Sequence, residues 1–160
     1  MAGITIPMAV APIGITHSPW TTKGQAPIQG AMRHDARGSV VVNTEFAAGL
    51  RDLEGFSHLI LLYWFDRAGE VRMVRAPFLD DDEHGLFAMR HPARPNPIGI
   101  TVVRLLGLDG PILTVAGIDV LDGTPLLDIK PYVPQWDSVP NATTGWLRPD
   151  VGSVKPEGRE

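Results

Sequence analysis

IGITVVRLLGLDGPILTVAGI, Ile98–Ile118, is the stretch whose reading decides the fold class. Strand side chains alternate between faces, which puts Ile98, Ile100, Val102, Leu106 and Leu108 on one face with Arg104 among them. Asp109-Gly110 is a hairpin signal, because glycine takes the positive φ that tight turns require. Ile112–Ile118 reads as the returning strand. Apolar residues spaced by two, broken by a turn, specify a β-hairpin and not a helix.

Working outward, the hairpin is bracketed by two polar segments. RHPARPNP (Arg90–Pro97) carries three prolines between Arg90, Arg94 and Asn96, and IDVLDGTPLLDIKPYVP (Ile118–Pro134) sets Asp119, Asp122 and Asp128 around a Gly-Thr-Pro turn. Pro92, Pro95 and Pro97 fix φ and remove backbone donors, so the polar side chains sit on stiffened loops. The same spacing extends along the chain. Met8–Thr16 reads as an edge or bulged strand, Ser39–Asn43 as a short β-branched strand, and Val71–Ala76 as a partly exposed one. Phe56–Asp66 is apolar throughout, as suits a strand buried on both faces. Gly85–Met89 is expected to be a short strand and Leu126–Pro134 the last one. Phe46, Leu50 and Leu53 behind Thr44 predict a short helix over Thr44–Leu53. Thr21–Gly38 is a long irregular loop, and Asp80–His84 an acidic one that suits a solvated turn better than a hard-metal site. The sum is a mostly β, small single domain with one or two short helices and long loops, either a barrel or a sandwich. Residues 1–134 form the domain, and 135–160 read as an arm or tail.

The 160 residues, 44% hydrophobic and 20% charged, suffice to bury a core. Without cysteine there are no disulfides, thiolate metal sites or Cys nucleophiles. MAGITIPMAVAPIG does not read as a signal peptide, so the cytoplasm is the expected compartment. The net charge of −4 limits a nucleic-acid surface to a local patch. The histidines have no metal-ligand spacing, and no metal is expected. Dinucleotide, phosphate-loop and nucleophile-elbow motifs are absent. The remaining chemistry is that of Asp119 and Asp122, able to accept from an amine or ribose diol, and of Arg90 and Arg94, able to hold a carboxylate or phosphate. A mutual ion network among these four is the competing reading.

IGITHSPW, FSHLILLYWFD, GLFAMRHPARPNPIGITVVRLLGL and IDVLDGTPLLDIKPYVP resemble the TsaA-like (YaeB-like, TrmO) family from Gly14 to Pro134. The resemblance implies a small β-barrel binding S-adenosylmethionine (SAM), a homodimer with its site near the subunit interface, and methylation of N6-threonylcarbamoyladenosine 37 in threonine tRNA. It implies cofactor contacts at Pro27, Ile28 and Gln29, at Asp66 and Arg67, at Arg90, near Ile100, and at Asp119, Val120, Leu121 and Asp122. Ile28 replaces the family's usual arginine, and Asp66 stands where some members have histidine. The larger bacterial members extend beyond the point where this sequence stops, which together with the acidic charge keeps a small-molecule acceptor and a non-catalytic SAM-binding module in view. An N6 nitrogen of this type is a poor nucleophile, so a proton acceptor is expected, with Asp122, Lys130 and Tyr132 as catalytic candidates. Arg33, Arg37, Arg90, Arg94 and Lys130 form the expected RNA-facing set.

Overall fold

The computed structural model describes residues 8–148. The readings of residues 1–7, within the N-terminal segment, and of 149–160, within the tail, lie outside that range. The strands are β1 (Gly14–His17), β2 (Arg37–Val42), β3 (His58–Trp64), β4 (Val74–Arg75), β5 (His84–Gly85), β6 (Ile98–Asp109), β7 (Ile112–Ala116) and β8 (Thr124–Pro131). A closed barrel runs β1-β2-β7-β6-β3-β8, and β4 and β5 make a separate two-stranded ribbon. Every barrel pairing is antiparallel. The architecture is therefore the barrel, not the sandwich.

Alternation carries Val40, Leu59, Leu61, Val103, Leu113, Val115 and Leu126 into the interior, where all are fully buried. Burying each such side chain stabilises by roughly 1.5–3 kcal/mol before chain entropy is deducted. Closure also leaves no barrel edge to cap.

Several local expectations change. In β3 only Leu59, Leu61 and Tyr63 are buried, while Ile60, Leu62 and Trp64 on the outer face are half-buried. A closed barrel has one interior, and among the described residues no helix layer covers this face. In β6 the apolar face is the outer one: Ile98, Ile100 and Val102 are 44%, 42% and 43% exposed, and Gly99, Thr101 and Val103 point inward. Leu105 continues the inward alternation, and a bulge between Leu105 and Gly107 then shifts the phase, so Leu108 also packs on the core and leaves that face. The hairpin loop is Gly110-Pro111, one residue later than expected, with Gly110 at φ +55°.

Thr44–Leu53 is not an α-helix. Thr44–Leu50 and Leu53–Gly55 are 3-10 turns separated by Asp52 in the left-handed region at φ 66°. Gly85–Met89 is no strand either, since Leu86–Ala88 closes a 3-10 turn in which Met89 N–H donates to Leu86 O. β1 begins only after Pro12, which has no N–H to offer a ladder. Val71–Ala76 contracts to the two residues of β4. Beyond β8, Pro134–Asp137 forms one α turn, and the following segment returns to the ribbon through Trp146.

Candidate functional site

The pairings divide the barrel into two ends. His17, Arg37, Trp64, Ile98, Ala116 and Thr124 lie at one, and Gly14, Val42, His58, Asp109 and Pro131 at the other. The polar residues converge on the first end, where the chain leaves β7 and runs through Ile118–Gly123 into β8.

This turn is held by its own backbone. Trp20 Nε1–H donates to Ile118 O at 2.9 Å, Ser18 Oγ–H to Val120 O at 2.6 Å, and Thr124 Oγ1–H to Leu121 O at 2.7 Å. In return Asp122 N–H donates to Trp20 O and Gly123 N–H to Thr16 O. HSPW, which begins at the last residue of β1, is thus bonded to Ile118–Thr124 through His17, Ser18 and Trp20.

Asp119 anchors a second segment. Gly30 N–H donates to its Oδ2 at 2.7 Å, Tyr63 Oη–H to its Oδ1 at 3.4 Å, and the Thr101 hydroxyl donates as well. Two glycines make this convergence possible. A methyl on Gly30 would collide with Gly117 O and Thr101 Oγ1, and one on Gly99 with the Tyr63 ring. Only bare backbone at position 99 lets the phenol lie across the barrel mouth toward Asp119. Burial pushes the Asp119 carboxyl up to about 6, against the pull of its hydrogen bonds. The Tyr63 phenol is pushed far up, first by burial and then by Asp119 beside it.

Asp122 has the opposite environment. Ser18 N–H and His17 Nδ1 both lie 3.1 Å from its Oδ1. The Ser18 bond, then the His17 bond, hold its carboxyl below the usual carboxylate range, and 47% of its side chain is exposed. Asp122 is the ionised, reachable carboxylate of the pair, and Asp119 the structural one.

The remaining cofactor candidates distribute unevenly. Gln29 accepts from Arg90 Nη1 at 2.8 Å, which ties the Pro27–Gln29 loop to the proline-rich strap. Arg67 bonds Asp66 at 3.2 Å and reaches Thr124 Oγ1 at 3.1 Å, joining the end of β3 to Leu121 through Thr124. Pro27, Ile28 and Leu121 are half-buried and Val120 is buried. Ile100 is not part of the cluster: it lies on the outer stripe opposite Leu62, and its neighbour Thr101 is the one that reaches Asp119. Lys130 and Tyr132 are also elsewhere. From Thr124 to Lys130 an extended strand spans roughly 20 Å, so both stand near the far end of the barrel. There Lys130 Nζ pairs with Asp128 at 2.7 Å and Tyr132 packs edge-on to His58. One chain therefore cannot unite Asp122, Lys130 and Tyr132.

The competing reading, an ion network among Arg90, Arg94, Asp119 and Asp122, does not form. Arg90 turns to Gln29, Arg94 donates to Leu86 O and Met89 O, and both aspartates take the donors named above. Of the RNA-facing set, Arg33 pairs with Asp35 and lies over Trp20, and Arg37 is exposed at the start of β2. Asp80–His84 is closed by the Asp80–His84 pair at 3.2 Å, and no metal-binding group occurs among the described residues. His17, Ser18, Trp20, Gly30, Tyr63, Thr101 and Thr124 went unassigned in the sequence. The signal for the first three was a polar-aromatic HSPW directly following a strand; for Thr101 and Thr124 it was a hydroxyl at an interior position.

What converges here is an ionised carboxylate, two exposed guanidinium groups (Arg67 and Arg90), an amide and half-buried apolar side chains. That donor set fits an amphoteric ligand carrying cationic, carboxylate and apolar parts. SAM has all three.

Comparison with known proteins agrees. The tRNA-methyltransferase O N-terminal domain matches residues 15–138. A probable S-adenosyl-L-methionine-binding protein of Pyrococcus abyssi is 50% identical over 144 residues, 90% of this chain and 78% of that protein. The tRNA (adenine(37)-N6)-methyltransferase of Escherichia coli is 37% identical, over 85% of this chain and 62% of its own length. A crystal structure of TrmO superposes with a TM-score of 0.77 at 40% identity, covering 91% of this chain and 66% of the other. The barrel, the matched span and these identities together establish that the chain belongs to the family of the tRNA-methyltransferase O N-terminal domain.

Proposed function

We propose that this chain is a SAM-dependent methyltransferase whose acceptor is the N6 nitrogen of N6-threonylcarbamoyladenosine 37 in threonine tRNA. The observation that carries it is the joining of three segments at one barrel end: Pro27–Gly30 through Asp119, Arg90 through Gln29, and Ile118–Gly123 through HSPW. When bound, SAM supplies an electrophilic methyl group on a sulfonium sulfur. Asp122 offers its cationic parts a fixed negative charge, and Arg90 and Arg67 suit its carboxylate. The loop around Gln29 is tied to the site's edge at Arg90 and Asp119, where it can limit water around these electrostatic contacts. Within one chain, proton acceptance from the nitrogen falls to Asp122, since Lys130 and Tyr132 stand at the other end of the barrel.

Two similar proteins bear on the acceptor: the E. coli and mouse relatives are named tRNA (adenine(37)-N6)-methyltransferases. The net charge of −4 favours a second reading, a small-molecule acceptor. Mass spectrometry of tRNA nucleosides from a deletion strain separates them, because only loss of the methylated threonylcarbamoyl nucleoside supports tRNA. Calorimetry with SAM tests the site itself. Wild type binds, and Asp122→Ala weakens binding by about tenfold or more, the scale of a charge-assisted contact. An unchanged affinity removes Asp122 from the site.

The outer stripe supports a homodimer. Ile98, Ile100 and Val102 pair with Trp64, Leu62 and Ile60 to form a continuous, incompletely covered apolar surface. Among the described residues no helix is long and apolar enough to cross a membrane.

A further inference from the structure

Trp146 belongs to a segment in which every other residue from Pro134 to Arg148 is exposed, yet it is half-buried. Its indole stacks on the His84 ring with centroids 4.5 Å apart and planes 13° from parallel, and its Nε1–H donates to Ala88 O at 2.7 Å. His84 is held by Asp80. Gly145 at φ +61° turns the chain, and the Thr144 hydroxyl and Leu147 carbonyl close the turn at 2.9 Å. The indole is thus presented on a formed turn.

Ala88 lies within the Leu86–Arg94 strap that carries Arg90. Arg94 Nη1 donates to both Leu86 O and Met89 O, and Leu86 N–H donates to Met73 O. Trp146 adds a fastening at Ala88, two residues from Arg90. Arg90 in turn holds Gln29, in the loop whose Gly30 docks on Asp119. One connected path runs from indole to strap, guanidinium, loop and carboxylate.

We propose that Trp146 is a positioning residue for the ligand site: the C-terminal arm fastens the Leu86–Arg94 strap so that Arg90 keeps Gln29 in place. This rests on the reading of that barrel end as a SAM site. The hydrogen bond and ring stack of Trp146 fall on Ala88 and His84, so it acts through the strap.

The test uses the full chain and two readouts. Hydrogen–deuterium exchange without ligand compares wild type with Trp146→Ala; faster exchange is expected over the strap and the Pro27–Gly30 loop, with the barrel strands unchanged. Calorimetry with SAM then forms a double-mutant cycle with Arg90→Ala. Trp146→Ala weakens binding about three- to tenfold in the wild-type background, and much less once Arg90 is gone, as coupled residues require. Trp146→Phe keeps the stack without the indole N–H and gives an intermediate loss. Exchange changes confined to the arm, or equal losses in both backgrounds, overturn the proposal. Faster exchange of strap and loop in a protein that binds no SAM upholds the fastening and instead removes the SAM reading.

Discussion

Asp119 and Asp122 are three positions apart and have opposite electrostatic fates. Asp122 is ionised at the surface, whereas Asp119 is withdrawn from water with a pKa of about 6. For Asp119 the folded value exceeds the unfolded one, so its contribution to stability is fully present below about pH 4. That contribution is lost as pH rises through about 6, because the folded state must then carry a buried charge. The cost above this window is on the order of 2–3 kcal/mol. Carboxyl-detected NMR should show one aspartate titrating near pH 6, and Asp119→Asn should flatten the slope of stability against pH between 4 and 6. An aspartate at 119 that titrates with the exposed ones would contradict this account. The sequence made both residues visible as candidates but not their division of labour. That division depends on Gly30, Tyr63 and Thr101, which are remote in sequence and meet Asp119 only when the barrel closes.

At the scale of elements, the site depends on loops that dock closely because glycine permits it. Gly30→Ala drives a methyl into Gly117 O and Thr101 Oγ1, with an expected cost of about 1–3 kcal/mol and weaker SAM binding. Gly24→Ala, in the same loop with open space around it, should stay within about 0.5 kcal/mol. Chemical denaturation of both variants checks the contrast. The hairpin β6–β7 was legible because alternation and Asp-Gly are local signals. The ribbon β4–β5 and the turn at Leu86–Ala88 were not, because their geometry follows from bonds to Met73 and Arg94 that local pattern does not encode. The outward orientation of Ile98, Ile100 and Val102 was also hidden. Alternation identifies a face but not its side, and here small or polar Gly99 and Thr101 take the interior to make room for Tyr63 and Asp119.

For the whole molecule, the outer stripe sets the prediction about assembly. Ile100→Asp puts a charge on a face that is exposed in the single chain, so the barrel should keep its far-UV circular dichroism. Sedimentation velocity should then show monomer where the wild type shows dimer. A wild type that sediments as monomer removes the support for the proposed homodimer.

The seam between β1 and β8 joins Thr16 to Thr124, 108 positions away. Closure in such a topology waits for the chain's most distant pairing, and folds with many non-local contacts complete in milliseconds to seconds. On the ribosome the wait is longer: at about 5–20 residues per second, β1 emerges on the order of 5–20 s before its partner. Throughout that interval the edge of β1 that faces β8 is unpaired, although β2 is already available to the other edge, and HSPW has nothing to stitch to. The proposed ligand site, built across the seam, is thus among the last features of the nascent protein to exist, and a ligand that binds there selects for chains that have finished closing.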